Sequence, residues 1–194
     1  MAPRPAEQLD AWLPQPAIRV AHRVTSTALP AELWRAANEL TLAGSPVLGR
    51  LVQWRIPDTP RELSFERLLR EPPFLVLTES EHSRVSGLVG RIWTLRRDYP
   101  VLGEPQRFRD FSERGSARVA IGIWAEEDVR GGALCAEARV QAIGPQGQLG
   151  VAAIRPLVRG FQHLIGSEAL HAAVREAEMG RPAGASPQTR RSGG

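Results

Sequence analysis

The chain of 194 residues contains no lysine; all 25 of its basic residues are arginine. That absence excludes any enzyme working through a lysine Schiff base or a lysine nucleophile. Guanidinium titrates far above ammonium, so an arginine-only set raises the isoelectric point without building a basic patch. The arginines are scattered among 21 acidic residues, adjacent only at Arg96-Arg97 and Arg190-Arg191, and the formal net charge of +4 does not point to nucleic acid. A single cysteine, Cys135, excludes an internal disulfide framework and any cysteine-based metal cluster. No apolar run is long enough to cross a bilayer, and the opening "MAPRPAEQLDAWLPQP" lacks the apolar stretch of a signal peptide. The expectation is a cytoplasmic protein without a transmembrane segment, a monomer or weak homodimer.

Motifs for common cofactors are missing too. There is no P-loop, no dinucleotide fingerprint and no G-x-S-x-G. His163 and His171 stand eight apart rather than at the i, i+4 spacing that a helical metal site uses, so neither metal nor cofactor is expected.

What is present is enough for one core: apolar residues make up 42% of the chain. Residues 1–16 carry four prolines and 179–194 hold almost nothing to pack, so both ends are expected to be disordered around a domain at 17–178. "AIRVAHRVT" (17–25) alternates as a half-buried strand does. Pro30 then opens a helix with Leu33, Trp34, Ala37 and Leu40 on one stripe, and "PVLGRLVQW" follows as a second short helix. "TPRELSFERLLREPP" (59–73) holds another short helix, with Thr59 and Ser64 competing as its cap.

From 74 to 143 the pattern reads as strand. "FLVLTESE" (74–81) and "RVSGLVGRIWTL" (84–95) form a hairpin, and Gly87 and Gly90 mark a bend or a close approach by something packed on that face. "QRFRDFSE" (106–113), "SARVAIGIWAEED" (116–128) and "GALCAEARVQAIG" (132–144) read as further strands. Gly144-Pro145 then opens a long helix whose apolar stripe, Ile154 to Ile165, slips in phase at Gly166-Ser167 before Leu170, Ala173, Val174 and Ala177; the slip predicts a kink. The result is an α+β fold: two short helices after the first strand, then a curved antiparallel sheet wrapped on a long C-terminal helix. The gap between sheet and helix is the natural ligand site.

Three stretches carry a family resemblance. "GLVGRIW" (87–93) resembles the G-x-x-G-R-F/W-W strand of an uncharacterised bacterial group within the SRPBCC (START-like) superfamily. "LCAEARV" (134–140) resembles that group's L-S-T-E-T-R-V strand, and "LIGSEALHAAVREAE" (164–178) its terminal L-I-x-x-E-x-L helix. The chain departs from the pattern at Cys135, Ala136 and Ala138, where the family strand carries hydroxyls, and at Arg159-Gly160, where R-P is usual. Polyketide cyclases and lipid-transfer proteins belong to this superfamily, and the resemblance implies a helix-grip fold with a cavity. It does not imply a reaction.

Binding of a small hydrophobic ligand, such as a lipid, quinone or polyketide-like molecule, is therefore the expected function. A cofactor-free cyclase or dehydrase-type enzyme in the same cavity and a protein-partner module are the alternatives. Candidate ligand-binding residues are Arg91, Trp93, Trp124, Glu137, Arg139, Phe161 and His163; no catalytic residue is assigned. On strand 132–144 two readings stay open: either the small apolar residues Leu134, Ala136, Ala138 and Val140 face the helix, or the charged row Cys135, Glu137, Arg139 does. A charge turned inward must be paired, because burying it alone is costly.

Overall fold

The computed structural model describes residues 5–55, 59–94 and 99–180, with the side chains at 5, 47, 48, 51, 54, 55 and 157–167 outside that description. The elements run α1 (Pro5–Trp12), β1 (Ile18–Ser26), α2 (Pro30–Glu39), a short 3-10 turn (Leu42–Gly44), α3 (Pro46–Arg55) and α4 (Phe65–Arg70). Then come β2 (Leu75–Ser80), β3 (Ser83–Gly90), α5 (Pro105–Asp110), β4 (Ser116–Asp128), β5 (Gly131–Ile143) and α6 (Gly144–Met179). The five strands form one antiparallel sheet in the order β1-β5-β4-β3-β2. With the long α6 laid on one face of that sheet, the architecture is an α+β helix-grip fold.

Local chemistry explains most boundaries. Pro30 occupies the first helical position of α2, where its missing N–H costs nothing, and Glu32 accepts from the backbone N–H of Leu29. Of the two candidate caps for α4, Ser64 is the one used: its hydroxyl accepts from the Arg67 N–H at 3.2 Å. The short helix expected within 59–73 is α4, the third α-helix between β1 and β2.

Register sorts the side chains into two faces. On β5, Leu134, Ala136, Ala138, Val140 and Ala142 point to the face that α6 covers, here called inner. Ala133, Cys135, Glu137 and Arg139 point to the outer face. The inner face is closed at one end by Val151 of α6, packed with Ile18, Leu88, Val119 and Val140. At the other end Leu170, Ala173, Val174 and Ala177 pack with Leu134 and with α2 and α4. Ser26 and Ser45 donate to Glu178 and Glu168, pinning the C-terminal half of α6.

Three expectations give way here. The segment 106–113 is not a strand but contains α5: Pro105 starts a helix, and Phe108 and Phe111 stand three apart, a helical spacing, with Phe108 fully buried. It packs where Gly87 has no side chain; a Cβ there would lie 2.7 Å from the Phe108 ring, so the glycine marks a close approach.

The opening segment is not wholly structureless. Residues 5–12 form α1 on the outer face, with Leu9 and Leu13 fully buried. Trp12 donates to Thr78 at 2.8 Å, meets the Phe108 ring edge-on, and lies under the Arg109 guanidinium. Pro3 and Pro5 at its start and Pro14 and Pro16 after it concealed a helix whose stability comes from docking.

Finally, α6 continues without interruption through Gly166-Ser167 and through Pro156. From Val151 to Leu170 is nineteen residues, a rotation of roughly 100° beyond whole turns. One continuous helix thus presents different faces to the two ends of the twisted sheet. The expected tail from 181 onward lies outside the described residues.

Candidate functional site

Between its two closed ends the inner face is left partly open. Val20, His22 and Val24 of β1, Ile121 and Ile123 of β4, and Ala136 and Ala138 of β5 are all half-buried, although they sit mid-strand beneath the long helix. Ser86 of β3 faces the same way and is completely buried. This floor is small-chained at its centre, where Ala138 lies between Ile121 and Val20, and Ala136 between Ile123 and His22.

The candidate residues do not all meet there. Trp93 does belong to this side: it is half-buried, and its ring lies against α6 at Gly150, where a Cβ would overlap it. Arg91 stands exposed just after β3, 3.6 Å from Glu113 in a solvent-facing ion pair. Phe161 and His163 are on α6, and their side chains lie outside the described residues.

Trp124, Glu137 and Arg139 are on the outer face instead, so the apolar row of β5 is the one under α6. Trp124 packs among Leu9, Leu13 and Cys135 and donates to Glu126 at 3.0 Å. Glu137 and Arg139 are 3% and 1% exposed and bond each other at 2.6 Å. Arg19 adds two contacts to Glu137 at 2.8 and 3.0 Å, while Arg139 donates to Asp10 and to the carbonyl of Leu13. Two cations and two anions thus form a neutral cluster that anchors α1 to the sheet. Each buried charge in it thus has an opposite charge within hydrogen-bond distance, as buried charges require. The Arg19 guanidinium is held even further above its ordinary value by its hydrogen bond to Glu137.

Cys135 shares that face. Burial pushes its thiol up to about 12, helped by the neighbouring Glu126 carboxylate, which makes it an inert packing residue rather than a nucleophile.

One inner-face residue escaped the sequence reading. Arg84 of β3 is buried, its side chain 5% exposed, and stacks 5.4 Å from the Trp34 ring of α2. It donates to Glu79 through Nε and Nη2 at 3.0 and 2.9 Å, to Glu66 through Nη2 at 3.3 Å, and to Asn38 through Nη1 at 3.1 Å. Beside it a cavity of about 10 Å³, room for a single water, is lined by Trp34, Asn38, Phe65, Glu66, Arg84 and Ile123 among others. Glu79 is its cross-strand neighbour in the β2–β3 hairpin, whereas Glu66 on α4 and Asn38 on α2 stand 18 and 46 positions away.

Among the described residues no group of histidine, cysteine, aspartate and glutamate could hold a metal ion, and no helix is long and apolar enough to cross a membrane.

No family model matches the chain, and no curated protein sequence matches it. Among solved structures, protein MLL2253 from Mesorhizobium loti is 12% identical, covering 84% of this chain and 97% of its own at a TM-score of 0.37. The ZhuI aromatase/cyclase from a Streptomyces is 17% identical over 86% of this chain and 98% of its own, at 0.33. Ara h 8.0201 is 12% identical over 84% and 98%, at 0.28. At these values the likenesses assign no activity to this chain, and what it does has to be argued from its own interior.

Proposed function

We propose that the chain binds a small hydrophobic ligand between the sheet and α6. The observation that carries this is the half-open apolar floor formed by Val20, Val24, Ile121, Ile123, Ala136 and Ala138, flanked by well-packed ends. A protein interior normally closes over such residues at crystal-like density. A row of aliphatic side chains left accessible beneath a long helix is the geometry of a ligand pocket. A lipid, quinone or polyketide-like molecule would gain ~25 cal/mol for each Å² of apolar surface it removes from water there.

The catalytic alternative is weakened on specific grounds. Of its acid–base or orienting candidates, Glu137 and Arg139 are on the other face and bonded into the cluster beneath α1, Arg91 is in a solvent-facing ion pair, and the side chain of His163 lies outside the described residues.

Native mass spectrometry of the protein purified from its own host, with a titration of the neutral dye N-phenyl-1-naphthylamine, tests the reading. A retained apolar mass, or saturable dye binding with a one-to-one endpoint, is expected. Clean apo protein that leaves the dye dark would overturn it.

A further inference from the structure

The interior also carries information about what kind of apolar molecule it takes; this inference rests on the hydrophobic-ligand reading above. Register aligns four inner-face residues straight across the sheet: His22 on β1, Ala136 on β5, Ile123 on β4 and Arg84 on β3. Adjacent strands are about 4.8 Å apart, so the row spans about 14 Å from His22 to Arg84. Its middle is apolar and half-buried, and each end carries a polar side chain.

The Arg84 end is the better defined. A guanidinium has five N–H donors. Four are engaged with Glu79, Glu66 and Asn38, which leaves one N–H on Nη1 without a partner among the described residues. The water-sized cavity lies beside this group, and Ile123 both lines that cavity and belongs to the floor. Its dimensions suit one oxygen atom. Charge decides which oxygen. Arg84 and Arg70 are paired with Glu66 and Glu79, so the four groups sum to zero. Glu66 itself lines the cavity, and a carboxylate arriving there would face an anion at short range.

We propose that the ligand lies across the strands along the His22–Ala136–Ile123–Arg84 row. An uncharged oxygen on it, a phenol, alcohol or ketone, occupies the cavity and accepts from Arg84. The ligand class is therefore an elongated apolar molecule bearing a neutral terminal oxygen, not a fatty acid presenting its carboxylate here.

A matched probe series tests this by calorimetry or tryptophan quenching: biphenyl, 4-hydroxybiphenyl and 4-biphenylcarboxylate. The hydroxyl compound is expected to bind about tenfold tighter than biphenyl, the gain of one hydrogen bond to a charged donor, and the carboxylate more weakly than either. In Arg84→Lys, which keeps the charge opposite Glu66 and Glu79 but loses the fork, the hydroxyl preference should vanish while biphenyl affinity stays. Asn38→Leu, which leaves the ion pairs intact and fills the cavity, should do the same and guards against misfolding of the first variant. Ile123→Trp should abolish binding of the whole series by blocking the floor. If the probes bind but biphenyl and 4-hydroxybiphenyl are equivalent, or the preference survives both variants, the cavity holds a structural water only. The proposal then falls while the hydrophobic-ligand reading stands. If no probe binds the wild type, both fall together.

Discussion

Replacing Glu137 by glutamine separates a structural carboxylate from a functional one. The side chain is 3% exposed and takes contacts from Arg139 at 2.6 Å and from Arg19 at 2.8 and 3.0 Å. Glutamine keeps the shape but turns an NH₂ toward a guanidinium, donor against donor, and removes the charge that neutralises Arg139. Breaking a buried pair by losing one partner costs about 3–5 kcal/mol. Arg139 keeps Asp10 and the Leu13 carbonyl, and Arg19 is 58% exposed and can turn to water, so the lower end, about 3 kcal/mol, is expected. For a chain of this length that lowers the melting temperature by on the order of 10 °C. Urea unfolding followed by circular dichroism measures it. The double replacement Glu137→Leu with Arg139→Met, which removes both charges and fills the volume, should be far less damaging, within about 2 kcal/mol of wild type. A cost below about 1 kcal/mol for Glu137→Gln would refute the reasoning, because the cluster would then behave as a solvated surface pair.

Gly150→Ala sets helix propensity against packing. Alanine gains about 1 kcal/mol in a helix interior, but its methyl would enter the space of the Trp93 ring, and overpacking costs about 1–3 kcal/mol. A net loss of up to about 2 kcal/mol on denaturation is expected, whereas Gln148→Ala, on the exposed side of α6, should be neutral or slightly stabilising. Leu9→Ala should cost about 2 kcal/mol, the low end for a buried leucine, since α1 can undock rather than hold a cavity. Red-shifted Trp12 emission should accompany it, and unchanged stability and spectrum would mean that α1 does not dock. Cys135, with its thiol pushed up to about 12, should resist a thiol reagent at pH 8 in the native state and react at once in denaturant. Rapid native labelling would contradict the burial.

The strand alternation at 17–25, the proline-initiated α2 and the two long strands ending in Asp128 and Ile143 were readable because their determinants are local. What failed depended on partners far along the chain. α1 has eight residues and too few apolar contacts of its own to signal a helix, yet Asp10 meets Arg139, 129 positions away. α5 has six residues, so a single i, i+3 pair, Phe108 and Phe111, competed with an apparent alternation and lost. The phase slip in α6 is a real feature that does not end the helix: Val151 packs at one end of a twisted sheet and Leu170 at the other, on different faces of one continuous helix.

The site divides along the same line, and the division says what kind of signal a ligand pocket leaves in a sequence. The floor could be inferred, because small apolar residues at every second position of β5 state which face will be covered. The charged row of the same strand was conspicuous in sequence and turned out to be structural: conspicuous charges that end up buried must be paired, and the pairing consumed them. Arg84 left no such mark. Both faces of β3 are covered, so every residue from Ser83 to Gly90 is buried and no alternation distinguishes the inward arginine from its neighbours. Its meaning comes from counting: five donors, four of them engaged by three partners, one oxygen-sized space beside it. A group that is fully satisfied holds the fold together, and a buried group with one bond left over is where a ligand has something to gain.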